Sequence, residues 1–215
     1  MAVFRKGFLG GFKGKLGPGV GTTWRNLDVL KSRSTKTIEK DKLLPQNFRL
    51  DVLSRFLGPF KPFIRIGFYH KKNKDSPFNR AMHYNWHRAV KGKAPNFVID
   101  YSKIILSRGD REPVWSGNLI TVQEDQISIT WEVTEAAKMR IIGNDRAIVL
   151  IYNDRAEKVQ SFKTAIRSDL AVRIDLPLAL RLGNSHIWMF FLSPDGRHVS
   201  NSEYIGELLS EATEI

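Results

Sequence analysis

Two stretches, RAIVLIYND (residues 146–154) and SHIWMFFLSPDG (residues 185–196), decide how this chain is read. Each is a short, dense apolar run closed by turn formers. Their apolar cores, AIVLIY and IWMFF, are far shorter than the roughly 20 residues that a bilayer-spanning helix needs. β-Branched and aromatic residues bounded by Asn-Asp or Pro-Asp-Gly are the pattern of a strand ending in a tight turn. The same texture recurs on either side. NFVIDYSKIILSRG (96–109), GNLITVQEDQ (117–126), ISITWEV (127–133), KVQSFKTAI (158–166) and LAVRIDLP (170–177) are β-rich runs separated by turn signals. Six or seven such strands predict an antiparallel β-sandwich over residues 96–210, with residues 211–215 as a tail. Trp131, Tyr152 and Trp188 sit on strands and are expected in the core.

Upstream of residue 96 the pattern is different. VGTTWRNLDVLKS (20–32) places β-compatible residues around a polar centre at Arg25–Asp28, which predicts a hairpin with Val20, Thr22 and Trp24 on one face. Leu44, Phe48, Val52, Phe56 and Leu57 recur at helical spacings, with Arg49 and Arg55 off the stripe and Pro45 in the first turn. Gly58-Pro59 breaks that helix, and a bent segment follows with Phe63, Ile66 and Phe68. Ser76 followed by Pro77 reads as an N-cap with proline at N1, opening a helix that runs to Gly92. The expected fold class is therefore α+β: a basic N-terminal module of hairpin and helices over residues 1–95, then the sandwich.

Charge divides the chain at the same place. Residues 1–95 hold 21 Lys and Arg against 5 Asp and Glu, a net of +16, whereas residues 96–215 hold 13 against 17, a net of −4. A module so charged repels itself unless a polyanion or an acidic surface compensates it. The cations expected to meet nucleic acid or an acidic protein are Lys6, Lys13, Lys15, Arg25, Lys31, Arg33, Arg49, Arg55, Lys61, Arg65, Lys71, Lys72, Lys74, Arg80 and Arg88. Trp24, Phe68, Tyr69, Tyr84 and Trp86 are interleaved with them as rings on which bases would stack, or as the module's own small core.

The opening GFLGGFKGKLGPGVG (7–21) invites a nucleotide-loop reading and fails it. Residues 1–21 contain seven glycines and one proline, but Gly14-Lys15 is followed by Leu16, and the glycine that a Walker loop needs five residues before Gly14 is missing. Gly17-Pro18-Gly19-Val20-Gly21 lacks the dinucleotide spacing, and Pro18 removes an amide donor. Phe4, Phe8, Phe12, Leu16 and Trp24 are too apolar for a linker and predict an arm that docks on a surface, in its own chain or in a neighbouring copy. No cofactor is expected.

Other chemistry is thin. His83 and His87 stand four apart in a predicted helix, a metal-binding spacing, but Tyr84 occupies the place of the zinc-protease glutamate. No metal site is assigned. There is no G-x-S-x-G elbow, and Glu124-Asp125 reads as a solvated turn. With no cysteine, thiolate chemistry and disulfides are excluded, in keeping with a reducing compartment. The start has no signal-like apolar region, so a soluble cytoplasmic protein is expected. These readings favour a non-enzymatic binding or assembly protein, acting as a homo-oligomer or within a larger assembly and without a membrane.

Two resemblances add to this. From about Asn96 to Gly206 the pattern resembles a fibronectin type III or immunoglobulin-like module, with ISITW, AIVLIY and IWMFFLSPDGRHVSNS in the corresponding strands and turn. The whole chain is similar to an uncharacterised bacterial family of domains of unknown function. Its members share stretches like GGFKGKLGPGVGTTW, VLKS, FIRIGF, SPFNRAMHYN and IDYSKIILSRG, and end with SPDG and VSNS. KTIEKDKLLPQNF replaces the Asn-Pro-Arg-Thr stretch usual in that family. A similar glycine-rich opening before an arginine-bearing helix occurs in phage structural proteins, and this implies assembly, with a virion as an alternative location.

Overall fold

A computed structural model describes residues 2–4, 12–24, 27–33, 45–69, 75–123, 125–133 and 136–209. They form two compact units, Met1–Leu43 and Leu44–Ile215. The first is a four-stranded antiparallel sheet of β1 (Ala2–Phe4), β2 (Gly14–Leu16), β3 (Gly19–Trp24) and β4 (Leu27–Ser32), in the order β1-β4-β3-β2. The expected hairpin is β3–β4, with Trp24 opposite Leu27. Its tip, Arg25-Asn26, lies outside the described residues. The glycine spacing serves a close approach rather than a phosphate: a Cβ on Gly21 would stand 2.5 Å from the Phe12 carbonyl and 2.6 Å from its ring. Phe12 therefore packs on the sheet of its own unit.

In the second unit, α1 (Pro45–Leu57), α2 (Lys61–Gly67) and α3 (Pro77–Asn85) precede a two-stranded ribbon, β5 (Val90–Lys93) and β6 (Asn96–Ile99). Next come β7 (Trp115–Gln123), β8 (Gln126–Glu132), α4 (Ala136–Ile142), β9 (Arg146–Asn153) and β10 (Lys158–Phe162). The chain ends with β11 (Ala171–Asp175), the single turn α5 (Leu178–Arg181), β12 (Ser185–Leu192) and β13 (Glu203–Leu208). The fold is thus α+β with antiparallel sheets, one of four strands ordered β10-β9-β12-β13 and one of three ordered β11-β8-β7. No helix among the described residues is long and apolar enough to cross a membrane.

β9 and β12 explain the two opening stretches. Nearly every residue along them is buried, because successive side chains point to opposite faces and both faces are covered. Ala147, Val149, Ile151, Ile187, Met189 and Phe191 share one core with Ile127, Ile129 and Trp131 of β8 and Val172 and Ile174 of β11. Ile148, Leu150, Tyr152, Trp188 and Phe190 share the other with Leu53, Phe56, Phe60 and Ile64 of the helical layer. The boundary expected at residues 95/96 therefore cuts through a core. The helices close the outer face of the four-stranded sheet, and the compact unit begins at Leu44.

Local signals account for most of the elements. Ser76 caps α3 by accepting from the Asn79 amide at 3.2 Å, with Pro77 at the first position. The helix does not reach Gly92, because Asn85 turns inward. Its buried amide donates to the Ala81 and Ile105 carbonyls, and its side-chain oxygen accepts from the Ile105 amide at 2.9 Å. Gly92 is instead a β5 residue with φ +97°. Gly67 lets α2 approach the Leu106–Ser107 backbone, where a Cβ would lie 2.5 Å from that of Ser107.

One buried ion pair costs the fold desolvation. Arg167, fully buried beneath β12, lies 3.6 Å from both the Phe191 ring centroid and Asp145, and donates to the Glu112 and Pro113 carbonyls. Burial pulls its guanidinium down to about 10, still charged at neutral pH. Replacing Arg167 with Met should cost about 3–5 kcal/mol, because Asp145 keeps a buried charge whose remaining partner is the more distant Arg111 at 3.7 Å. The Asp145→Leu/Arg167→Met double variant should recover part of that loss in urea denaturation. A second prediction follows from the shared core. A chain starting at Leu44 should unfold in one cooperative transition, whereas one starting at Asn96 should lose cooperative unfolding and expose the Leu150, Trp188 and Phe190 face to dye binding.

Candidate polyanion-binding site

The predicted cations separate by what they already touch. Arg49 is half-buried, donates to the Val90 carbonyl at 2.9 Å and lies over the rings of Trp86 and Phe97 at 5.7 and 5.3 Å. It is a packing group, not the solvated cation that its off-stripe position predicts. Arg55 is exposed and pairs with Asp51 at 3.0 Å, one turn earlier in α1. Arg88 donates to the Tyr84 hydroxyl, and the Tyr84 ring takes its guanidinium at 4.4 Å and that of Arg108 at 4.8 Å. The Tyr84 and Trp86 rings therefore already carry cations of the same chain. Phe68 is buried, so of the rings proposed for stacking in this unit, Tyr69 is the open one, 60% exposed.

Lys61, Arg65 and Arg80 remain, and the structure brings them together. Lys61 and Arg65 are one turn apart on α2, and Arg80 lies in α3. With Tyr69, Ser76 and Phe78 they line a cleft of about 490 Å³. Lys61 sits 5.3 Å over the Phe78 ring. Neither Arg65 nor Arg80 has an ion-pair partner among the described residues, and the carboxylate on the cleft wall is Asp75. Two guanidiniums beside open ring surface, at the start of a helix whose amide dipoles point their positive end outward, form a setting that favours anions. In sequence the cleft is flanked by Lys71, Lys72 and Lys74, which lie outside the described residues.

In the first unit Lys13, Lys15, Lys31 and Arg33 are exposed, as is Leu16. Lys6, Arg25 and Phe8 lie outside the described residues. Phe4 belongs to β1, opposite Asp28, and Trp24 is half-exposed at the end of β3. His83 lies on α3 and His87 in the turn after it, both exposed. Among the described residues no group of three His, Asp or Glu side chains is placed to hold a metal.

Sequence reasoning missed a second cluster. His186, in the apolar run of β12, stacks on Tyr101 with 3.7 Å between ring centroids, and its Nδ1 lies 3.1 Å from the Tyr204 hydroxyl. A histidine opening a strand that is otherwise apolar was the signal available. Burial holds its pKa below the usual value and raises the Tyr204 and Tyr152 hydroxyls to about 12. All three are neutral at pH 7.

Short polar side chains tie the loops of the second unit together. Ser202 Oγ accepts from the Leu106 and Ser107 amides, Ser107 Oγ donates to the Ser200 carbonyl at 2.7 Å, and Ser200 Oγ accepts from the Phe191 amide at 2.8 Å. VSNS is thereby tied to both the KIILSRG segment and β12, while Asn85 of SPFNRAMHYN holds the same segment from the helical side. SPDG forms the turn that leaves β12, with Gly196 at φ +70°.

No curated protein sequence matches the chain. Among solved structures, the solution structure of the fn3 domain of human contactin 1 aligns at 13% identity with a TM-score of 0.31, over 51% of this chain and 85% of that one. At family level the match is extensive: the model of a "Family of unknown function (DUF6266)" covers residues 11–206, and the chain belongs to that family.

Proposed function

We propose that this is a non-catalytic binding protein whose cleft between α2 and α3 engages the phosphate backbone of nucleic acid, without sequence specificity. The observation that carries it is the convergence of Lys61, Arg65 and Arg80 on one cleft, with two guanidiniums unpaired among the described residues and Tyr69 open beside them. Phosphates release condensed counterions as cations replace them, and an accessible ring accepts any base by stacking. On this reading the paired sheets act as a fibronectin III/immunoglobulin-like sandwich that carries the helical layer and offers its own surface to protein partners. The cytoplasm, where single strands of nucleic acid are abundant, is the fitting location.

A second reading, assembly with other copies, draws on the first unit. β1 and β2 are the edge strands of its sheet, and an open edge accepts a strand from a neighbour. Light scattering on the full chain and on a chain lacking residues 1–21 separates the two readings. Identical monomers in both samples would remove self-assembly.

The nucleic-acid reading predicts that labelled oligo-dT binds in fluorescence anisotropy with an affinity that falls steeply from 50 to 200 mM salt. Each phosphate contact on a single strand contributes about 0.7 to the log–log slope. Arg65→Ala/Arg80→Ala should therefore lower the slope by about 1.4, and Tyr69→Ala should weaken binding by about 1–3 kcal/mol with little change in slope. Affinity that is absent, independent of salt, or unchanged in the double variant would sink the reading.

A further inference from the structure

β12 and β13 do not pair regularly. His186 faces Glu207 and Ile187 faces Gly206, but Trp188 faces Tyr204, so Ile205 is an extra residue in a bulge. In a regular strand Tyr204 and Glu207, three apart, would point to opposite faces. The bulge brings both to the face that carries His186, re-aiming side chains as such irregularities do at binding sites. Tyr204 Oη is 3.1 Å and Glu207 Oε2 3.7 Å from His186 Nδ1, while Tyr101 covers the imidazole face.

Charge is unbalanced there. His186 is 4% exposed and neutral at pH 7, so it supplies no cation to Glu207. The Glu207 side chain is 50% exposed and has no Lys or Arg partner among the described residues. His186 itself is among the residues that line the cleft beside Glu207. The opposite wall shows what such a carboxylate accepts. Asp100 takes the Lys91 ammonium at 2.6 Å, the Ser102 hydroxyl at 2.6 Å and Lys103 at 3.8 Å. Between these walls lies a cleft of about 530 Å³, within the ordinary size of a small-ligand site.

We propose that this cleft binds a primary ammonium or guanidinium group, seated on Glu207 and flanked by the phenols of Tyr101 and Tyr204. Unpaired carboxylate and electron-rich ring together select a cation over a neutral donor. Residues 96–215, which build most of this cleft, are net −4, so it is the loss of binding in a Glu207 variant, rather than binding alone, that separates this site from general attraction. Two sources supply this chemistry: a free polyamine, and a basic segment of a second copy such as the exposed Lys13, Lys15, Lys31 and Arg33 of the first unit. The site rests on β12, β13 and the turn at Tyr101, so it stands or falls separately from the α2/α3 cleft.

The test is calorimetric titration of the full-length protein with spermidine and, separately, with a peptide spanning residues 12–33, with the His186 ring followed by NMR. Wild type should bind at least one probe and shift the His186 resonances. Glu207→Gln should weaken that binding about tenfold or more, the scale of a hydrogen bond to a charged group, and Glu207→Asp should retain part of it. Glu207→Gln should melt as wild type does and keep its affinity for oligo-dT. Peptide binding together with concentration-dependent sedimentation of the full chain identifies a second copy as the source; spermidine binding by a monomer identifies a free amine. Failure of both probes to bind, or Glu207→Gln binding as tightly as wild type, would overturn the proposal.

Discussion

β9 and β12 are apolar on both faces, and the second unit is organised by the need to cover them. Burying a single Leu, Ile or Phe contributes about 1.5–3 kcal/mol, and these two strands place large side chains alternately above and below the sheet. One three-stranded sheet satisfies one face. The other would leave Leu150, Tyr152, Trp188 and Phe190 in water, which no soluble sheet of this length sustains. α1 and α2 are consequently part of the same folding unit as the strands. The Phe56–Phe60–Tyr152–Trp188 ring cluster, with centroids 5.2–6.2 Å apart, is the seam between the layers.

A three-layer arrangement also has to join its layers through loops without orphaning their backbone groups. Here short polar side chains do it. Ser107, Ser200, Ser202 and Asn85 are all buried, and each hydrogen-bonds to a backbone group of another segment. An unsatisfied buried amide or carbonyl costs about 1–3 kcal/mol, so each of these residues is held by what its loss would strand. SPFNRAMHYN, KIILSRG and VSNS meet at these junctions, where their polar side chains hold the layers together.

The strands of the second unit's two large sheets, β7 to β13, were legible as β-rich runs between turn formers, as were the Ser76 cap and the Gly58-Pro59 break. β5 was not, since its residues read as the end of a helix, and the β-rich run over 96–109 is strand only as far as Ile99. What the sequence did not reveal was the number of wet faces. A continuous run such as AIVLIY marks burial on both sides, whereas a two-layer sandwich expects alternation; the continuity was visible, but the covering layer lay a hundred residues upstream. α4 was missed because EAAKMRII is short and sits between strong strands. Asn85 ended α3 early through a hydrogen bond to a residue 20 positions away, beyond the reach of any local signal. In the candidate site the lopsided charge was plain, but the division of its cations between packing and solvent was not. Arg49 and Arg88 became ring partners only once the chain had folded.

That division narrows the meaning of a basic module. A guanidinium lying on Tyr84 or Trp86 is partly desolvated and directionally committed, so moving it to a phosphate would first cost the ring contact. Arg55 is likewise compensated by Asp51, though weakly, as exposed pairs are. A polyanion gains most where the field is uncompensated and no contact must be broken, and in the helical layer that place is the Arg65–Arg80 cleft. The opposite logic holds at Glu207, where a carboxylate beside a neutral histidine has no Lys or Arg partner among the described residues on a protein of net charge +12. A fold that pairs its buried charges, as with Arg167 and Asp145, and leaves both of these unpaired among the described residues at the walls of clefts has placed its unsatisfied charge where a ligand reaches it.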